Sequence, residues 1–271
     1  MAPDQQEVRP RALVIAGFDQ SGGAGILADI KTMEAHDVYG YAVCTGLTFQ
    51  NEREIADIHW YSEKEIFQQV DLCFQSEVRF GGEGSRPPFE WVKIGIGRSI
   101  PLIRAIIRHL RQHNPAVKVI LDPVIKASSG REFWEGTDKE GLEELASLCY
   151  LMTPNWEEVS WLYPGADVMK SSEALASICH LYLKGGHNPK DPGRDYLWED
   201  GQLLVLESGL RDAVVYAKHG SGCVLSSSLT ANLAAGHSLM TAAERGKRYI
   251  EQFLTSNKTQ LGWHRPLKIE K

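Results

Sequence analysis

ALVIAGFDQSGGAGILADIKTMEA, residues 12–35, is the stretch that decides the fold. Residues 12–16 form a short apolar run rich in branched side chains, closed by Gly17. A run without polar alternation reads as a parallel strand buried on both faces. Gly22, Gly23 and Gly25 follow, and residues 26–35 carry a helical pattern. Strand, glycine turn and helix make the first half of a βαβ unit.

The alternation continues outward from this unit. Residues 41–48, 91–96, 117–121, 150–153 and 181–184 read as strands, and 63–74, 99–113, 142–148 and 156–162 as helices. Such an order implies a mostly parallel sheet covered on both faces. Asp200-Gly201, between residues 196–199 and 203–206, is a hairpin signal. Residues 214–216 are expected to extend that antiparallel edge, and helices over 221–235 and 239–253 close the chain. The expected architecture is an α/β, three-layer sandwich with a central, mostly parallel sheet and a small antiparallel edge. One domain is expected over residues 12–255, between a flexible start (1–11) and a polar tail (256–271). The glycine- and proline-rich stretch 81–88 reads as a mobile loop.

Composition narrows the class. The 271 residues, 43% hydrophobic and 24% charged, are those of an ordinary globular protein with a substantial core. A net charge of -6 disfavours nucleic acid as the main partner. No apolar run reaches the roughly 18 residues of a membrane span. The start lacks the apolar stretch of a secretory signal. Five cysteines (Cys44, Cys73, Cys149, Cys179, Cys223) show no CxxC spacing. The expectation is a reduced, cytoplasmic protein with neither a disulfide framework nor a zinc site.

Four short segments could carry chemistry. Gly22 to Gly25 stand before a helix, where free N–H groups can meet an anion or polar ligand. A plain tight turn explains them equally well, and their spacing fits neither a dinucleotide fingerprint nor a P-loop. Gly220-Ser221-Gly222-Cys223 also precede a helix and form an anion cradle suited to a phosphoryl group in transfer. Cys223 falls in the first helical turn, where the dipole favours thiolate; a buried structural cysteine is the alternative. Asn155 and Glu158, three apart, offer two oxygen ligands for magnesium on one helix face. They also fit a capping box, the better-favoured reading of that pair alone. Lys184, before Gly185-Gly186-His187, can reach a phosphate as a point charge or merely end a solvated strand.

Taken together in this order, the sequence resembles the hydroxymethylpyrimidine and phosphomethylpyrimidine kinases of thiamine biosynthesis, a branch of the ribokinase-like family. The resemblance rests on AGFDQSGGAGILADIKT (16–32), TGLTFQN (45–51), VKIG (92–95), LDPV (121–124), TPNWEE (153–158), KGGH (184–187) and HGSGC (219–223). It covers residues 12–255 and implies a ribokinase-like sandwich that uses ATP and Mg2+ and forms a homodimer. By resemblance, Gly17, Asp29, Gln50 and Val124 line the pyrimidine pocket. Asn155 and Glu158 are the magnesium-associated pair, holding the ion indirectly with the ATP phosphates, and Lys184 lies near those phosphates. Gly220, Ser221 and Gly222 form the anion hole, and Cys223 stands where the catalytic base is placed. A glutamine amide both donates and accepts, which suits an aminopyrimidine edge.

The chain departs from the family pattern at Phe18, Gln20 and Ile96-Gly97, and around Lys126 to Gly130, so no role is transferred to Lys126. Residues 165–184 are about ten short, which implies a truncated helix or a lost turn. Two rival readings stay open: pyridoxal kinase, and a non-catalytic vitamin- or nucleotide-binding regulator. The intact Gly220 to Cys223 segment argues against the second.

Overall fold

A computed structural model describes residues 9–78, 89–126, 133–134, 139–210 and 213–267. The expected loop at 81–88, residues 127–130 of the divergent segment and the first eight residues lie outside these. The elements are, in chain order, β1 (Arg11–Phe18), α1 (Gly25–Ala35), β2 (Tyr39–Gln50), β3 (Ile55–Trp60), α2 (Glu63–Val78), β4 (Trp91–Ile94), α3 (Ile100–His113), β5 (Lys118–Leu121), α4 (Lys139–Ser147), β6 (Leu151–Met152), α5 (Trp156–Leu162), α6 (Val168–Ala176), β7 (His180–Leu183), β8 (Asp195–Glu199), β9 (Gln202–Leu206), α7 (Ser221–Ala234) and α8 (Leu239–Leu254).

The strands form one sheet in the order β3-β2-β1-β4-β5-β6-β7-β8-β9. From β2 to β7 every pairing is parallel. β3 at one edge and β8-β9 at the other are antiparallel. The apolar run of β1 serves two cores at once. Leu13 and Ile15 face one helical layer, and Ala12, Val14 and Ala16 face the other. That is why the run shows no polar alternation. The strand order reverses between β1 and β4, the kind of position where an open α/β sheet leaves a crevice beyond its carboxyl ends.

Local chemistry explains the helices that flank this point. Ser99 caps α3 by accepting from the Leu102 N–H (3.4 Å), and Pro101 occupies its first turn. Ile100, Ile103, Ile106, Ile107 and Leu110 recur at helical spacing and are buried. Each such side chain contributes about 1.5–3 kcal/mol on burial, so this stripe fixes how α3 sits on the sheet. At the β8-β9 turn, Asp200 (φ 50°) and Gly201 (φ 76°) both adopt the left-handed conformation that a two-residue hairpin loop requires.

One local expectation changes, and one strand appears that the sequence reading did not name. β3 is a strand with three exposed positions, too polar at Asp57 and His59 for its sequence to advertise it. Residues 214–216 do not extend the hairpin edge; Val214 and Val215 are exposed, and the Tyr216 N–H donates to Leu254 O (3.3 Å) at the end of α8. The shortened segment holds a nine-residue helix, α6, capped by Asp167, whose side chain accepts from the Lys170 N–H. Residues 256–267 fold back on the body. The Lys218 ammonium donates to Asn257 Oδ1 (3.0 Å), and the His219 N–H donates to Gln260 O (2.9 Å). Among the described residues no helix is long and apolar enough to cross a membrane, and all five cysteines are free.

Candidate active site

A cleft opens at the carboxyl ends of the parallel strands. Gly17 from β1, Gln50 from β2, Val124 beyond β5, Asn155 and Glu158 at the start of α5, Lys184 beyond β7 and Gly220 to Cys223 at the start of α7 all line it. Six separate segments of the sequence thus meet at one place. Asp29 does not join them. It lies beneath the cleft with no exposed surface, its Oδ1 accepting from Lys93 Nζ (2.5 Å) and Ser227 Oγ (2.6 Å). Burial raises its pKa against the pull of Lys93.

The two glycine turns have different fates. The first is filled from within. Asp19 Oδ1 accepts from the Ser21 N–H (2.9 Å), and Asp19 Oδ2 accepts from the Ser21 hydroxyl and the Ala24 N–H (both 2.9 Å). His219 Nε2 lies 2.8 Å from the same Oδ2, tying the first turn to the second. Burial opposes the Asp19 charge, but these hydrogen bonds outweigh it and hold the carboxyl below its usual range. At the second turn no side chain caps α7, and Gly220 adopts φ 74°. A Cβ there would lie 2.0 Å from Gly23 O, so the turns press backbone on backbone. The start of α7 therefore presents its N–H groups and dipole to the cleft, the arrangement that an anion would need.

Lys184 organises the acidic wall. Its ammonium donates to Asp122 Oδ1 (2.7 Å) and lies 3.6 Å from Glu158 Oε2. Asp122 Oδ2 accepts from Ser226 Oγ in α7 (3.0 Å). Burial opposes ionisation of Asp122, yet Lys184 and Lys93 hold its carboxylate below its ordinary range. Asn155 and Glu158 form the reciprocal capping box: the Glu158 N–H donates to Asn155 Oδ1 (2.8 Å), and the Asn155 N–H donates to Glu158 Oε2 (2.6 Å). Burial pushes the Glu158 carboxyl up to about 7, Lys184 pulling it down and Asp122 adding to the rise. The cap does not remove the pair from the cleft, because both residues line it. Oxygen donors beside an anion site are the groups that magnesium with a nucleotide would need, so the donor set fits that ion.

Cys223 is the third residue of α7. Burial pushes its thiol up to about 11; Lys93 works against that, and Asp122 and Asp29 reinforce it. The helix dipole alone does not make a resting thiolate here. The sequence reading overlooked Asp19, Asp122 and His219, all of which also line the cleft. The signal for Asp122 was available: an aspartate directly after a buried parallel strand sits at the crevice. Asp19 and His219 are 200 residues apart, and nothing local in the sequence joins them.

A sheet whose order reverses above an uncapped helix start, with a buried lysine and oxygen donors facing it, defines a phosphotransferase of the ribokinase-like fold. A model of the phosphomethylpyrimidine kinase family matches residues 19–268, and the chain belongs to that family. A hydroxymethylpyrimidine/phosphomethylpyrimidine kinase of Rhizobium meliloti is 32% identical, with 90% of each chain covered. The crystal structure of phosphomethylpyrimidine kinase from Clostridium difficile 630 superposes with a TM-score of 0.72 at 30% identity, covering 90% of this chain and 99% of that one. The ADP complex of a Bacillus subtilis pyridoxal kinase superposes with a TM-score of 0.74 at 25% identity, covering 92% of each.

Proposed function

We propose that this enzyme transfers the γ-phosphoryl group of ATP to the hydroxymethyl group of 4-amino-5-hydroxymethyl-2-methylpyrimidine, or to the phosphate of its monophosphate, in thiamine biosynthesis. One observation carries the reading: the uncapped start of α7 shares a cleft with Gln50, Gly17 and Val124. An anion site and a pocket for a small polar ring thus lie together. The acceptor oxygen attacks the γ-phosphorus, the bond to the β–γ bridging oxygen breaks, and ADP leaves. Gly220 to Gly222 stabilise the charge on the transferred group through backbone N–H donors. Lys184 lies beside the phosphates. Cys223 takes the acceptor proton, and burial, which pushes its thiol up to about 11, makes that role easier as pH rises. Asn155 and Glu158 would hold magnesium or its waters, and the ion neutralises phosphate charge when bound with ATP.

The reading extends to a cytoplasmic homodimer, which sedimentation of the purified chain would test. The likeness to the B. subtilis pyridoxal kinase keeps pyridoxal as a second acceptor. A coupled ADP-release assay with the pyrimidine, its phosphate and pyridoxal side by side decides among them. ADP release with pyridoxal alone would overturn the primary reading, and release with none would favour a binding protein.

A further inference from the structure

Asp71 of α2 meets His109 and His113 of α3 away from the cleft; none of the three lines it. The histidines are four residues apart, so one helix face carries both rings. His109 Nε2 and His113 Nε2 lie 2.7 and 2.8 Å from the same Asp71 Oδ1. The three donor atoms fall within 4.8 Å of one another. Each ring is also held from behind. His109 stacks on Phe67 (centroids 4.1 Å apart, planes 4° apart), and His113 stacks on Phe74 (4.8 Å, 16°). The side chains are 14%, 28% and 37% exposed for His109, His113 and Asp71, so the cluster lies at the surface within reach of a metal ion in solution.

We propose that Asp71, His109 and His113 bind one divalent transition-metal ion of the zinc class, with water completing its coordination. Two imidazoles and a carboxylate make a three-ligand protein set that leaves a position open. Imidazole selects zinc, cobalt or nickel over magnesium and calcium, which take oxygen. Metal–ligand bonds of about 2.0–2.2 Å require each imidazole nitrogen to move off its hydrogen bond with Asp71 so that the ion can enter between them. The missing CxxC spacing hid this set, because its ligands come from two helices and include no cysteine. An ion here clamps α2 to α3 and couples metal supply to stability, independently of any ion in the cleft.

The 271-residue protein, stripped with EDTA, is titrated with Co2+ by absorption spectroscopy and with Zn2+ by calorimetry. Expected are one ion per chain of micromolar or tighter affinity and a cobalt d–d band without thiolate charge transfer. Zinc at about a hundred times its Kd raises the melting midpoint by about 5 °C. His113→Gln keeps an amide that can hydrogen-bond Asp71 but removes the imidazole. It should weaken zinc by at least about a hundredfold, remove the melting gain, and leave turnover with ATP and the apo melting point in place. Asp71→Asn, made alongside it, should do the same. Millimolar wild-type binding, or both variants binding zinc as tightly as the wild type, overturns the proposal and leaves a hydrogen-bond clamp.

Discussion

Replacing Glu158 by glutamine removes a negative charge from the cleft and leaves the α5 cap in place, because glutamine serves the third position of a capping box as glutamate does. The native carboxyl is 6% exposed and is pushed by burial from an ordinary 4.5 to about 7. The folded protein therefore binds a proton there more readily than the unfolded chain between these two values. Stability contributed by the protonated group is full below pH 4.5, falls as pH rises to 7, and is level above. That interval, at about 1.36 kcal/mol per pH unit, amounts to about 3 kcal/mol. Glutamine does not titrate, so the stability of the variant relative to the wild type should improve by about 3 kcal/mol from pH 4.5 to pH 8. Urea unfolding followed by tryptophan fluorescence, at several pH values and without ATP or magnesium, measures that difference directly; an unchanged m-value confirms that the same surface is exposed. Under turnover conditions the variant should need more magnesium at pH 8. A stability difference that stays constant across the range would refute the argument, since Glu158 would then ionise in the fold as it does in the open chain.

Cys223→Ala should lower turnover by about 10²–10⁴-fold with ATP binding kept, because the phosphate cradle is backbone. With the thiol near 11, wild-type rate should climb with pH above neutrality and the variant's should not; a shared pH profile would remove the base assignment. Gly220→Ala places a Cβ 2.0 Å from Gly23 O at φ 74°, costing about 1–2 kcal/mol for the backbone and about 1–3 for the clash. Its melting midpoint should fall by at least about 4 °C; an unchanged midpoint would mean that the two turns do not bear on each other.

The parallel frame was legible because its strands lack alternation. Ala12 to Ala16 send side chains to two cores, and a sequence free of polar residues has no other stable place. β3 was not legible, since an edge strand with Asp57 and His59 on it resembles a loop. The cradle was readable from its glycines, and the structure shows the reason at Gly220, whose backbone touches Gly23. What the sequence could not show was which glycine turn remains open. Asp19 closes the first with its own carboxylate, a self-capping contact that no local pattern marks. Nor could local pattern show Asp122 and Lys184, 62 residues apart, as an ion pair.

Asp29 separates membership in a motif from membership in a site. It stands in the segment that carries the family resemblance, yet its charge serves the frame. The Asp29–Lys93 pair has no solvent exposure, and Ser227 of α7 adds a third partner, so α1, β4 and α7 are joined by one buried polar contact. Lys93 Nζ also lies 3.5 Å from Cys223 O, which ties the first turn of α7 to β4. An ion pair so deep is costly to desolvate and adds little net stability, but removing one member leaves the other charge uncompensated at about 3–5 kcal/mol. Asp29→Asn should therefore lower the melting midpoint by at least about 6 °C, while the folded fraction keeps its Michaelis constant for the acceptor. A substrate-pocket residue gives the reverse: melting held and the acceptor constant raised. Asp29 Oδ2 has no hydrogen-bond partner among the described residues, so the asparagine amide gains nothing there to offset the loss at Lys93, and a melting point equal to the wild type would show that the pair does not hold the cradle in place.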